Sequence, residues 1–463
     1  MLPGFVAGLL LAGPGLALDR PAGYFVRVEI TDLPVAEALE ITRSAAGQAD
    51  QNAAWKLVRE RIAQGKASCV SCGLRGTSGL GKLEAVARYP FAEECDPPEL
   101  LVDADTLPSS NLITPVVPTD HRFRFLGPTV EADLDSGTAD GTVNVNLRVE
   151  VVELVGMTDY GSGLARVWTP RFHRRQLNEK RDFPLKSWRL AGMTGGPADH
   201  PERASLFWVR VDALPALNEA EPPAAQLLAE WYELPFSEAN RLLESWDDSR
   251  DDEALAREVH AAATAGRGRL LSACGINQSW GQPAKVESIK ETMVPMDYEL
   301  PEGLSSNPGD PPQKERAVSL WHPGAVVALK TILPGVQLDS APRFLTKELS
   351  TDAPFDEARL PVTSRPGTPS FNIEPEWNEH DLDVAIGEGL ARQRWAVQRE
   401  VRLKSICPLV PGRPCLAMVA SPPVRTDPKP DVRQTDEWGR APVYQTTGTP
   451  RVFLFLTTSK SKP

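Results

Sequence analysis

Six cysteines and six histidines are the side chains of this sequence best suited to nucleophilic, redox or metal chemistry. Cys69 and Cys72 form a C-x-x-C, a spacing used for disulfide exchange or for zinc. Redox use wants a helix start whose dipole lowers the thiol pKa. Here the pair lies in Lys66–Gly73, bounded by Gly65 and Gly76, which reads as a strand with no helical pattern after it. Residues three apart in a strand point to opposite faces, so the two thiols diverge. No His follows Cys72, which removes covalent haem attachment, and no second C-x-x-C completes a four-cysteine zinc site. Cys407 and Cys415 flank a proline-rich stretch that reads as a loop between strands. A disulfide closing that loop suits an exported protein, and without export the two are buried thiols.

The histidines are His121, His173, His200, His260, His322 and His380, and none sits in an H-x-x-x-H or H-E-x-x-H spacing. His121 and His173 precede arginines and read as solvated loop residues. Glu379, His380 and Asp381 have metal-ligating chemistry, but an acidic loop cluster is ordinarily just solvated. Trp246–Asp252 has the acidity of a calcium loop without the Gly and terminal Glu of an EF-hand, and reads as a link and cap between two helices. There is no Gly-x-Ser-x-Gly elbow and no P-loop, and no helix follows Gly192, Gly195 and Gly196 to cradle a phosphate. The 11 tryptophans are scattered, as packing residues are. The sequence singles out no catalytic, cofactor-binding or metal-binding residue, and a protein without enzymatic activity or cofactor is expected.

The elements that would position any site come twice. Leu33-Pro34-Val35-Ala36-Glu37-Ala38 returns as Leu234-Pro235-Phe236-Ser237-Glu238-Ala239, 201 residues on. Gly65 returns as Gly266, Ser71 as Ser272, Leu83–Val86 as Val286–Ile289, and Tyr89-Pro90 as Val294-Pro295. Thr169-Pro170-Arg171-Phe172 is matched with Thr368-Pro369-Ser370-Phe371, 199 residues on. Units this long exceed solenoid repeats, whose period is roughly 20–50 residues, and read as two copies of one domain. Helical spacing predicts helices over Val35–Ser44 and Asn52–Ala63, and over Phe236–Ser245 and Asp252–Ala263, with Gly65 and Gly266 as stops. Thr142–Val151 alternates without a break, Val143, Val145, Leu147, Val149 and Val151 on one face, and predicts a half-buried antiparallel strand paired with Thr129–Leu134. The fold class expected is α+β and β-rich: two copies of a domain with a short helical pair followed by mostly antiparallel strands. The copies span 18–214 and 224–463, joined by a linker at 215–223, and proline-rich stretches at 106–119, 301–313 and 421–432 read as loops.

At 463 residues the chain can bury a core in each copy. A net charge of -12 and the lack of a basic stripe interleaved with aromatics argue against nucleic acid as a partner. Residues 1–17 form an apolar run ending in small residues, which reads as a signal peptide too short and too broken by Pro3 and Pro14 to span a membrane. No Lys or Arg precedes that run, so a disordered or mis-started N-terminus is the other reading.

The order of these signals resembles the C-terminal homology domain of bacterial secretins, the outer-membrane ring proteins of type II and type III secretion. Gly281-Gln282-Pro283-Ala284-Lys285-Val286 followed by Val294-Pro295 is similar to that family's Gly-Gln turn and strand. Leu126–Asp133 with the strand at 142–151 is similar to its next block, with His322–Val327 a fainter echo. Leu190-Ala191-Gly192-Met193 and Leu416-Ala417-Met418-Val419 stand at its Leu-Gly-Gly-Leu strand, without the Gly-Gly, and Leu206–Val211 and Val452–Leu456 resemble its closing strand. Pro128, Pro323 and Pro334 interrupt these runs and belong at edges or bulges. The resemblance implies an exported, non-enzymatic protein of the periplasm or outer membrane in a structural or docking role. Its partners would be cell-envelope proteins and further copies of itself, with outer-membrane association. The alternative is a soluble exported β-rich binding module whose ligand the sequence does not name.

Overall fold

A Leu-Pro dipeptide ends the opening strand of each half of the chain. Pro34 and Pro235 hold φ at -51° and -54° as helix cap residues, where a missing N–H costs nothing. Gly65 and Gly266, at φ +70° and +73°, take the left-handed conformation that stops the helical pair. The computed structural model describes residues 23–46, 48, 51–77, 79–96, 117–135, 141–160, 167–197, 200–214, 226–277, 283–289, 292–299, 325–332, 335–345, 368–386, 393–426 and 444–458. The signal segment at 1–17, the linker at 215–223, Gly281, Gln282, Pro323 and Pro334 lie outside the described residues.

The first half runs β1 (Gly23–Pro34), α1 (Val35–Ala45), α2 (Asn52–Ala63), β2 (Ser68–Gly76), β3 (Gly79–Asp96), β4 (Val117–Asp135), β5 (Thr142–Tyr160), β6 (Val167–Pro184), β7 (Trp188–Gly195) and β8 (Arg203–Leu214). The second runs β9 (Gln226–Leu234), α3 (Phe236–Ser249), α4 (Asp252–Thr264), β10 (Arg269–Asn277), β11 (Ala284–Ile289), β12 (Thr292–Glu299), β13 (Ala325–Ile332) and β14 (Gly335–Leu345). It closes with β15 (Thr368–Ile386), β16 (Gln393–Pro408), β17 (Pro414–Ala420), β18 (Val424–Arg425), β19 (Tyr444–Gln445) and β20 (Arg451–Thr458). The fold is α+β and β-rich, with four helices and two large antiparallel sheets among the described residues.

One eight-stranded sheet has the order β10-β9-β20-β17-β2-β1-β8-β7, and the other β11-β14-β15-β16-β3-β4-β5-β6. The core lies between them: Val143, Val145, Leu147, Val149 and Val151 of β5 are fully buried with Val26, Val28, Val209 and Leu454 of the first sheet. Each such side chain contributes about 2 kcal/mol on burial. A one-residue slip of β5 would expose all five, which is what fixes its register. The helices cover the other face of the first sheet. α1 and α2 pack on β1, β7 and β8 through Trp55, Trp188 and Trp208. α3 and α4 pack on β9, β17 and β20, and reach Phe25 of β1 through Trp246 at 5.0 Å between ring centroids.

Both sheets divide at their middle into the same four-strand order, β2-β1-β8-β7 beside β10-β9-β20-β17 and β3-β4-β5-β6 beside β11-β14-β15-β16. Irregularities recur in register. β5 and β15 are each 19 residues long, and the first skips Val155 against β6 as the second skips Asp381 against β16. Ala191 of β7 and Ala417 of β17 are bulged against β8 and β20. Isolated parallel bridges tie Leu185 to Val211 and Pro411 to Thr458.

This topology corrects two sequence matches. Thr169–Phe172 lies in β6, the fourth strand of its half-sheet, while Thr368–Phe371 lies in β15, the third, so they are not counterparts. The true spacing there is 226, as from Thr142 to Thr368, because additional chain enters the second half before β15. Likewise β14, beginning at Gly335, takes the sheet position of β4, so the counterpart of Leu126–Asp133 is not 322–327. The ends of two stretches read as loops are strand, Val117–Thr119 in β4 and Val424–Arg425 as β18. Pro128 stands in an interior strand rather than at an edge, and the ladder from β4 to β3 omits it and Gly127, so its missing donor is not needed.

Candidate functional site

A concave site that carries buried charge is a cleft of about 510 Å³ between the two helical pairs. One wall is α2, with Trp55, Arg59 and Ile62, and the other is α3, with Phe236, Asn240 and Glu244. The floor is the first sheet, where β1 supplies Arg27 and Glu29, β2 supplies Cys69, and β20 supplies Arg451. Arg59 Nη2 reaches Glu244 Oε2 at 2.8 Å, an ion pair that bridges the two walls.

The floor is a charged network under a layer of helix. Glu29 accepts from Arg27 Nε at 2.6 Å, Ser71 Oγ at 2.6 Å and Cys69 Sγ at 2.7 Å, and lies 3.6 Å from Arg451. Burial opposes ionisation of Glu29, but Arg27 and Arg451, with the hydrogen bonds from Cys69 and Ser71, hold its carboxyl below the usual range. Arg27 turns its other arm to Asp247 of α3, 2.7 Å away and 220 residues along the chain. Asp247 also meets Arg250, which burial lowers to about 10. Arg210 and Arg250 share Asp212 at 3.0 and 2.5 Å, which extends the network to β8. Removing one partner of a buried pair strands the other, so this network couples the opening strand of one half to the first helix of the other.

A thiol beside a carboxylate has the outline of a nucleophile and its base. In Cys69 the chemistry runs the other way, because burial and the neighbouring Glu29 raise the thiol well above its ordinary value. The protonated thiol serves as a donor to Glu29. Its neighbour in the C-x-x-C faces the inter-sheet core, with Cys72 packed among Val28, Leu74 and Val149. The thiols diverge, as the strand period requires.

Cys407 and Cys415 are free buried thiols, in contrast to the disulfide considered from the sequence. Cys407 donates to the Arg75 carbonyl at 3.4 Å and burial pushes it up to about 12, while Cys415 donates to the Arg413 carbonyl. His173 sits 3.7 Å from Glu153, His200 is 3.2 Å from Glu202, and His260 is 3.2 Å from the Tyr232 hydroxyl. His173 lies in β6, not in a loop. The side chains of His121 and His380 lie outside the described residues, as does His322. Glu379 pairs with Arg399 at 3.2 Å and Asp381 accepts from Tyr444 at 2.6 Å. Among the described residues no three His, Cys, Asp or Glu side chains gather as a metal site. In the acidic run, Asp251 caps α4 by accepting from the amides of Glu253 and Ala254, while Asp247 is buried.

Sequence reading missed Arg27, Glu29, Asp247 and Arg451. In Phe25–Ile30 the polar residues alternate with apolar ones, which signals a strand with one wet face. Helices cover that face here, and nothing local to β1 announces them. The fold and this cleft define the chain as a two-sheet α+β protein with helical pairs over one sheet, joined head to tail. No family model matches the sequence, and no curated protein does. No helix of the described residues is long and apolar enough to cross a membrane.

Proposed function

We propose that the chain is a non-enzymatic component of the cell envelope with a structural or docking role, built from two tandem copies of a secretin-like domain and able to add further copies at its ends. The observation that carries this reading is the joint between the halves. β17 pairs with β2 through Met418–Leu74, Val419–Gly73 and Ala420–Cys72, and β16 pairs with β3 over seven residues from Gln398–Arg88 to Lys404–Lys82. In both sheets the fourth strand in the second half's order meets the first strand in the first half's order. Such a joint is heterologous, and heterologous joints do not close on a pair. The outer strands β7 and β6 at one end, and β10 and β11 at the other, occupy the same half-sheet positions as the strands at the joint. Exposed edges of this kind are templates for pairing with another chain.

The counterparts of Ala420 and Cys72 at the free ends are Thr194 and Cys274, since β10 carries a bulge at Leu271. A chain carrying Thr194→Cys beside the native Cys274 should form a ladder of intermolecular disulfides under mild oxidation, and neither the unaltered chain nor Thr194→Cys combined with Cys274→Ser should pass a dimer. Cell fractionation of the same chain should place it with the envelope. A monomer in every fraction and no ladder would defeat the reading, and would leave the soluble binding module in its place.

A further inference from the structure

We infer that the joint between one chain and the next is an apolar seam, with Met193 and Val35 of one copy set against Leu228 and Leu270 of its neighbour. It replaces the buried ion network that holds the joint within the chain. This rests on the addition of further copies at the sheet edges, and gives that contact its chemistry.

The register of the two halves gives each residue of the internal joint a counterpart at a free end. Leu33 pairs with Ala204 as Leu234 pairs with Arg451, and Val28 pairs with Cys72 as Ala229 pairs with Cys274. Arg27 is thereby matched by Leu228, Cys69 by Leu270 across the bulge in β10, and Arg451 by Ala204. Asp247 of α3 is matched by Ala46, just past the end of α1. Arg59 and Glu244, the ion pair that bridges the helices, are matched by His260 and Arg43, which carry no opposite charge. Glu29 keeps its carboxylate as Glu230, and that group accepts from the Tyr232 hydroxyl of its own strand at 3.1 Å.

At the ends, the apolar replacements face outward. Leu228 is 38% exposed, Leu270 51%, Met193 41% and Val35 37%. Val35 stands where Phe236 lines the cleft between the halves. Met193 stands where Val419 meets Gly73, and lies on the helical face, its Sδ 3.7 Å from the Thr42 hydroxyl of α1. A Cβ on Gly73 would meet Val419 and Phe25 at 2.9 Å, so only glycine leaves room for the neighbouring strand's valine. At its counterpart Gly275 a Cβ would meet nothing nearer than the Leu227 carbonyl at 3.7 Å and Leu228 Cδ1 at 3.8 Å. That is the space an incoming Met193 would fill.

The edges agree. The side chains of Asn52 and Gln51 accept from the amides of Trp188 and Leu190 at 2.9 and 2.7 Å, which leaves pairing beyond β7 to the stretch from Gly192. Gly192, Met193 and Thr194 are the counterparts of Met418, Val419 and Ala420, through which β17 takes β2. Neither that stretch nor Leu270–Ile276 of β10 holds a charged residue or a proline, the usual guards against edge pairing. Apolar side chains also suit a contact made after folding. Removing them from water is favourable, whereas ions lose hydration when separate chains meet.

Sedimentation velocity of the full chain tests the seam. Leu228→Glu at one end and Met193→Glu at the other should each weaken self-assembly at least about tenfold, because the new carboxylate is desolvated in the contact. Mixed one to one, the two variants should form a heterodimer and nothing longer, since each keeps the end the other has lost. Leu270→Glu is a second variant at the first end and should behave as Leu228→Glu does. Sodium chloride at about 1 M, where the screening length is about 3 Å, should leave wild-type assembly as tight or tighter. A wild-type chain that stays monomeric throughout removes assembly and the seam together. Assembly that survives these substitutions or is dispersed by salt overturns the seam alone, as does a mixture of variants, folded by circular dichroism, that yields no heterodimer.

Discussion

Asp247 offers the sharpest test of how the two halves of the chain are held together. Its carboxylate lies 2.7 Å from Arg27 and 3.3 Å from Arg250, with side-chain exposures of 4% and 5% for Asp247 and Arg27. Removing one partner of a buried ion pair costs about 3–5 kcal/mol, because the other charge is stranded in a medium that solvates it poorly. Arg27 would keep Glu29 at 2.6 Å in the Asp247→Ala variant, so the lower end of that range, about 3 kcal/mol, is expected. The change in melting temperature then reports how much of the chain unfolds with the network. With about 2.1 cal/mol/K per residue of unfolding entropy, 3 kcal/mol lowers Tm by about 3 °C if the whole chain melts as one unit. It lowers Tm by about 7 °C if a unit of roughly 200 residues melts alone. Continuous sheets across the joint favour the first value, with a single transition. Differential scanning calorimetry reads both shift and number of transitions. The double variant Arg27→Met with Asp247→Ala should lose more than the single, since it also strands the buried Glu29, which accepts from Arg27 at 2.6 Å. A shift below about 1 °C, or a double variant as stable as the single, would refute this account of the network.

Glu400, at the joint of the second sheet, should make stability fall with rising pH. Burial, with the like charges of Glu376 and Glu84 outweighing Arg88 and Arg402, raises its carboxyl to about 7 from 4.5. The folded state therefore binds the proton more tightly, so the contribution is full below pH 4.5 and lost as pH rises through about 7. Glu400→Gln should stabilise the protein more at pH 8 than at pH 4 in urea titrations, and an equal effect at both would count against it. Gly127→Ala should destabilise far more than Gly65→Ala, by chemical denaturation. Both glycines have positive φ, but a Cβ at Gly127 meets the Ala85 carbonyl at 2.4 Å whereas Gly65 has open space, where about 1 kcal/mol is expected. Cys72 and Cys407, both buried and raised to about 12, should resist a thiol reagent at pH 8 until the protein unfolds, as intact-mass labelling would register.

Local periodicity carried much of the fold. The helices at Asn52–Ala63 and Asp252–Thr264 and the strand from Thr142 follow from spacing alone, because side-chain period and burial are set within a few residues. Additional chain in the second half degraded the long matches. Offsets that hold at 201 near Leu33 have become 226 by Thr142, so a short motif such as Thr-Pro-x-Phe aligned with the wrong strand. The cleft was legible only in part. Trp55 and Phe236 could be placed on helices, but the pairing of Arg27 with Asp247 could not.

By itself the sequence determined that strands and helical pairs would form, and that the C-x-x-C thiols would part company on a strand. Those are consequences of dihedral preference and side-chain period. Only the tertiary structure decided that β17 and β16 of the second half would pair with β2 and β3 of the first. It alone placed charge from β1, α3 and β20 under one roof. Sheet order and cross-chain electrostatics depend on contacts between residues hundreds apart, and no local pattern encodes which edge meets which.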